Sequence, residues 1–291
     1  MPEYHNIPVG VPEEVVQNLR KFHELFDVAD DVANLGQRIL DQLRHERDGT
    51  GFHSDLETAS YVLFGKGFKT FLASQILCRS GCGADALGLC GSLFENWVDL
   101  MYIRQAPVRR AQRYLRYEQI DKYYQALKVL RRKRLPKGTR GQYKGHLSAL
   151  APQVKQLLKT FREQSCWVKV TRRQAGRVTR RKMGLRDRAE AVKLGVEYDT
   201  QYYMLCGFKH TGAAAAFGFM FEHDQGVDVI VGPNVKGVFD AIVHSTRYFL
   251  EICGVYQDIH GLGVEAEVNA LKQRLIETSD QVVAAHTDLC E

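Results

Sequence analysis

Apolar residues recur at intervals of three and four from Pro12 to about Arg47: Val15, Val16, Leu19, Phe22, Leu25 and Phe26, then Val32, Leu35, Ile39 and Leu43. That period predicts one long amphipathic helix, or two joined near Asp30 and Asp31. In GTGFHSDLE, Ser54 stands three residues before Glu57, the capping-box spacing, so a second helix is predicted to start there and run to about Cys78. The glycines of RSGCGAD make a turn before a helix from Ala84 to Ile103, striped by Leu87, Cys90, Phe94, Trp97 or Val98, and Met101. Pro107 restarts the chain into a basic helix whose narrower stripe is Tyr114, Tyr117, Ile120, Tyr124 and Leu127. PKGTRG breaks that helix, and another is predicted from about Tyr143 to Arg162.

Residues 163 to 188 show little periodicity and many arginines, which reads as a surface loop. A helix is predicted from Glu197 to about Phe221. The alternating Val227, Val229 and Val231 predict a short β-hairpin near 224–233, before Pro233. Two helices, roughly Val235 to Val255 and Val264 to Leu289, finish the chain. The expected fold is therefore all-α, a bundle of seven to eight helices with one small β excursion. Its expected organisation is an N-terminal helical region (1–50), a bundle core (51–257) carrying a basic insert (104–188), and a C-terminal helix (258–291) packed on the core.

Composition narrows the class. A chain of 291 residues that is 45% apolar can bury a core of its own. Its seven cysteines are odd in number and scattered, and MPEYHNIPVG has no signal-peptide pattern, so a reducing, cytoplasmic setting is expected. The longest apolar run, Ala213 to Phe221, is about half of a membrane-spanning helix, so no membrane partner is expected.

Charge changes the picture more. The net charge is +6, but Arg104 to Arg188 holds 26 Lys and Arg against Glu118, Asp121, Glu163 and Asp187. That segment is +22, and the remainder is −16. Such a field attracts phosphates, and the interleaved Tyr114, Tyr117, Tyr123 and Tyr124 could stack on bases. Arg109, Arg110, Arg113, Arg131, Arg132, Arg172, Arg173, Arg180 and Arg181 are the candidate contacts to nucleic acid or another polyanion. The competing reading is a solvated face that meets the acidic remainder of this chain, a second copy in a homodimer, or an acidic protein partner.

The candidate chemistry is sparse. Cys78, Cys82 and Cys90 lack the spacing and the fourth ligand of a zinc site and read as buried thiols. His53 and Glu57 are four apart at a helix start, with nothing to complete a metal shell. Neither a cofactor nor a metal is expected. Glu95 and Asp99 share one face of a helix that Gly88, Gly91 and Ser92 make thin, so a neighbouring helix can approach closely. His210, spaced by fours from Tyr198, Tyr202 and Cys206, is expected to be buried or half-buried. It would then be either the partner of Glu95 in an ion pair or half of a general-base pair with it.

Two stretches together resemble a known family. ALGLCGSLFENWVDLMYI (86–103) resembles the Ser-Leu-Phe-Glu helix of a mostly prokaryotic family catalogued only as a domain of unknown function. Trp167 to His210 is similar to its second block, through Trp167, Arg188, Ala189, Glu190, Tyr198 or Tyr202, and His210. The resemblance covers about residues 60 to 255 and implies that the Glu95 helix packs on the His210 helix. That family also resembles the HEPN superfamily, whose ribonucleases carry an Arg four to six residues before a His. Here residues 204–209 are MLCGFK, so only Lys209 could supply the charge, and a lysine stabilises a phosphorane less well than a guanidinium does. The expectation that follows is a nucleic-acid-binding protein, RNA favoured, in a prokaryotic defence or toxin–antitoxin setting, with any chemistry centred on Glu95 and His210 and supported by Asp99, Tyr202 and Lys209. The alternatives are a non-enzymatic interaction module and, more weakly, an HEPN-like ribonuclease or a metal-dependent hydrolase using Glu95, Asp99 and His210.

Overall fold

The computed structural model describes residues 10–45, 54–132, 135–136, 138–161, 169–174, 177–182, 184–210, 220–223, 226–229 and 232–286. The amphipathic N-terminal stretch forms α1 (Glu13–Arg20) and α2 (His23–His45). The chain breaks at Lys21 and Phe22, not at Asp30 and Asp31, because the Lys21 and Phe22 N–H groups turn back onto the carbonyls of Asn18 and Leu19. The two aspartates sit inside α2 and reach sideways, Asp30 to Arg79 and Asp31 to Arg274, both at 2.5 Å. Ser54 caps α3 (Asp55–Arg79), accepting the Glu57 N–H at 3.2 Å as its spacing predicts. His53 lies outside the described residues.

Next come α4 (Gly83–Arg104), α5 (Pro107–Leu130) and α6 (Thr139–Phe161), then a hairpin of β1 (Lys169–Gln174) and β2 (Arg177–Lys182). After α7 (Leu185–Ala191), a helical stretch passes through α8 (Gly195–Glu197), a π-helical turn (Tyr198–Tyr202) and α9 (Tyr203–Lys209). A second hairpin, β3 (Met220–His223) with β4 (Gly226–Val229), precedes α10 (Val238–His260) and α11 (Glu265–Ala285).

The fold is helical, as expected, with three corrections. There are more helical segments than seven or eight, because the first helix and the late helix are both interrupted. Two hairpins stand where one was expected: the later runs over 220–229 rather than 224–233, and the earlier lies in the stretch read as a loop. The late helix does not continue to Phe221. It ends at Lys209, and Phe221 lies in β3.

The centre of the molecule is the packing of α4 on α10, flanked by α3 and α9. At the head of that crossing a Cβ on Gly83 would lie 2.3 Å from the Val238 nitrogen and 2.5 Å from the Gly237 carbonyl carbon, so no side chain fits there. Gly237 caps α10 at φ +72°, the left-handed region that glycine enters without strain. Below it Phe64, Phe71, Phe94, Tyr248, Phe249 and Tyr256 are buried, with Phe71 and Phe249 stacked at 4.9 Å. α2 and α11 close one side. α5 leans on α3 and α4, whereas α6 packs chiefly on α5, so the two form a helical hairpin whose α6 arm stands outside the bundle.

Candidate functional site

Gly88, Gly91, Glu95 and Asp99 lie along one face of α4, and the two glycines let a second helix come close. A Cβ on Gly88 would sit 3.6 Å from the Lys209 backbone, and one on Gly91 would sit 3.5 Å from the Leu205 Cβ. That approach carries two donors to Glu95. The Tyr202 hydroxyl donates to its Oε1 at 2.7 Å, and the Lys209 Nζ donates to the same atom at 2.7 Å. The Glu95 and Lys209 side chains are both about one-third exposed, at 31% and 28%. Tyr202 is buried, stacked on Phe94 at 5.1 Å and on Tyr198 at 4.9 Å. Burial raises its phenol well above the ordinary value, and its hydrogen bonds with Cys206 and Glu95 raise it further.

One turn along α4, Asp99 accepts from the Arg188 Nε of α7 at 2.6 Å, with side chains only 16% and 11% exposed. Burial pushes the Asp99 carboxyl up to about 6. Arg188 and Lys66 act in the opposite direction, and the Glu95 charge adds to the rise. Tyr114 of α5 closes this end, its phenol pushed up to about 12 by burial and then by the charge of Asp99.

His210 is exposed, where burial or half-burial was expected. It is the exposed C-cap of α9, its N–H bonded to the Cys206 carbonyl at 3.0 Å. The fours-spacing fails because beyond Tyr202 the chain is α-helical at ~3.6 residues per turn, so Leu205 and Lys209 face α4, and the helix ends before His210. The structure thus brings Glu95 together with Tyr202 and Lys209, and Asp99 together with Arg188. Among the described residues no group of three or more His, Cys, Asp or Glu side chains could hold a metal ion. Cys78 and Cys90 are fully buried and Cys82 half-buried, all free, and burial raises all three thiols.

The π turn is a junction that the sequence pattern missed. Asp199 accepts from Arg186 of α7 at 2.8 Å, Gln201 accepts from the Tyr248 hydroxyl of α10 at 2.9 Å, and Tyr202 reaches α4. Arg247 pairs with Glu197 at 2.9 Å beside it. His244, also unforeseen, stacks on Tyr248 with centroids 5.8 Å apart, and burial followed by the Arg247 charge pushes its imidazole down to about 4. A histidine inside a largely apolar helix carries no periodic signal of that kind.

The basic segment has a different character. Arg109, Arg116, Arg131 and Arg132 are exposed, and none has a side-chain partner among the described residues. Arg110 is half-buried, its guanidinium 3.5 Å from the Tyr102 ring centroid and donating to Gln105 at 2.9 Å and to the Tyr102 carbonyl. Arg113 is half-buried on the same turn. At the far end the Arg140 guanidinium of α6 reaches the Arg132 carbonyl at 3.4 Å. Arg172, Arg173, Arg180 and Arg181 lie on the first hairpin, paired through the backbone with Thr179, Val178, Thr171 and Val170. Ion pairs to the rest of the bundle stand at the roots of the segment: Arg104 with Asp258, Arg186 with Asp199, and Arg188 with Asp99. The two acids on α5 are engaged locally, Glu118 by Lys122 at 2.6 Å and Asp121 by Gln125 at 2.8 Å.

The profile of a family of unknown function (DUF5677) matches residues 57–227, from the first turn of α3 into β4. The Glu95 helix, the whole basic segment and α9 fall inside that span, while α10 and α11 fall outside it, so the match stops short of the expected 255. No curated protein and no solved structure matches the chain. No helix among the described residues is long and apolar enough to cross a membrane.

Proposed function

The chain belongs to DUF5677, a family of unknown function, and within it we propose that this protein binds nucleic acid, RNA favoured, through the basic segment Arg104 to Arg188. The observation that carries the reading is the placement of charge on α5 and α6. Arg109, Arg116, Arg131 and Arg132 face solvent without partners among the described residues, on or just after the arm of a helical hairpin that leans on the bundle. A solvated face neutralised by the chain's own acids would show ion pairs along its length. Here the pairs to the bundle lie at the roots. Guanidinium groups without partners among the described residues suit phosphates, which they bind with release of condensed counterions.

Glu95 and Asp99 take a structural part in this proposal. Each carboxylate is held by cationic or phenolic donors from a neighbouring helix, so the pair ties α9 and α7 to α4 and fixes the platform from which α5 departs. The test is a titration of labelled oligonucleotide by fluorescence anisotropy across a salt series. Steep weakening with salt, about 0.7 to 0.9 log units per log unit of salt for each phosphate engaged, supports the reading. Affinity that is flat in salt, or no binding at low salt, overturns it.

A further inference from the structure

The aromatic side chains of the basic segment bear on which form of nucleic acid fits. Tyr114 and Tyr117 are packed against the hydrophobic core, and neither they nor Tyr123, Tyr124 or Tyr143 is exposed. Tyr123 and Tyr124 meet each other edge to face at 5.6 Å. Binding single strands without sequence preference relies on open aromatic faces for splayed bases, and the tyrosines in the described part of α5 and α6 are all at least half-buried. What it offers is guanidinium groups, which contact phosphates and not base faces.

Those groups gather at two places. Arg109, with the half-buried Arg110 and Arg113 beside it, lies at the start of α5. Lys128, Arg131 and Arg132, with Arg140 and Lys144 of α6, lie at its end. Between them the exposed surface of α5 mixes Arg116 and Lys122 with Glu118 and Asp121, and Lys122 is tied to Glu118, so little net positive charge remains there. From Arg110 to Arg131 the helix rises about 32 Å at ~1.5 Å per residue. A ligand that satisfies both clusters has to hold phosphates that far apart while passing over a middle of mixed charge. A flexible single strand loses conformational entropy in doing so, whereas a duplex keeps its phosphates spaced along a stiff axis, about nine base pairs for this span at ~3.4 Å each.

Resting on the nucleic-acid reading above, we infer that the ligand of α5 and α6 is a duplex, RNA or DNA, held by its backbone at the two ends of α5 with little sequence preference. Each cluster alone is weak, and the gain comes from engaging both at once.

The experiment compares the full-length protein binding labelled duplex RNA, duplex DNA and single-stranded RNA of matched phosphate number, at one moderate salt concentration. It also uses duplexes of about 6, 12 and 18 base pairs, lengths chosen around the expected span. Affinity is expected to rise at least about tenfold between the shortest and the middle duplex and little beyond it, with single strands weaker than either duplex. In the double variant Arg131→Ala/Arg132→Ala, both side chains being exposed and without a partner among the described residues, the middle duplex should bind no better than the shortest does to the parent. The two duplex arms decide between RNA and DNA as the source of the backbone. Single strands that bind as tightly as duplexes, or affinity that grows smoothly with length in parent and variant alike, overturn the duplex inference and leave nucleic-acid binding intact. If no probe binds at low salt, both proposals fall.

Discussion

Asp99 and Arg188 form an ion pair 2.6 Å long across the α4–α7 contact, with both side chains less than one-fifth exposed. It joins two helices whose residues are 89 positions apart in the chain. Removing one partner leaves a charge in a place that water hardly reaches. Arg188→Met is therefore expected to lower stability by about 3 kcal/mol in urea unfolding. The double variant Asp99→Asn/Arg188→Met should recover much of that loss, because no unpaired charge remains. Two single-variant costs that simply add in the double variant would show that the pair is not coupled.

The same carboxyl and a distant imidazole should pull stability in opposite directions with pH. Asp99 titrates at about 6 when folded, above its ordinary 3.8, so its stabilising contribution is complete below that ordinary value and is lost as pH rises through 6. His244 titrates at about 4 when folded, below 6.5, so its contribution is present above 6.5 and is lost as pH falls through 4. Between pH 4 and 6.5 the two partly cancel. Asp99→Asn should make the urea midpoint climb more steeply with pH in that window, and His244→Gln should flatten the climb. Curves parallel to the parent's in both variants would refute the assignment.

Glu95 is an anchor with two separable donors. Tyr202→Phe removes one hydroxyl from a buried ring and should cost about 1 kcal/mol. Lys209→Met removes a cation that is 28% exposed and should cost less, within about 1 kcal/mol, because solvent screens the pair. His210→Ala at the exposed C-cap should change stability by no more than about 0.5 kcal/mol and leave oligonucleotide affinity as it was. A large loss of binding in His210→Ala would move the ligand site from α5 to α9.

Gly83 lies where α4 meets the start of α10, and Gly83→Ala would place a methyl group against backbone that cannot swing aside. The expected penalty is about 3 kcal/mol, or failure to accumulate folded protein. Gly65→Ala, where a Cβ meets nothing within 4 Å, is the control and should be neutral or stabilising.

The parts of this fold that were legible in the sequence are those that obey a local rule. Ser54 and Glu57 announce a helix start because a cap is a contact between neighbours in the chain. Gly88 and Gly91 announce a close approach, because only their lack of side chains lets α9 come near α4. The π turn escaped, since its five residues look like any other helical stretch and the inserted residue is visible only as a change of phase. The hairpin of β1 and β2 escaped because KVTRRQ and RVTRRK have no apolar face to alternate with a polar one. The Asp99–Arg188 pair and the placement of His244 depend on helices meeting, which no spacing along a single strand of sequence encodes. The burial of His210 was misjudged because the fours-spacing assumed a helix running past it, whereas α9 ends at Lys209.

The way α6 is mounted has a consequence for the kinetics of local opening. α6 finds its main contact on α5 and adds little to the buried centre, so it can detach and return without disturbing the α4–α10 interior. Its amide hydrogens should therefore exchange with solvent deuterium well ahead of those in α10, at a rate set by a small, local free energy rather than by global unfolding. A ligand lodged across Arg132 and Arg140 would staple the two arms of this hairpin together, and slowed exchange confined to α6 would mark its presence without any label on the ligand.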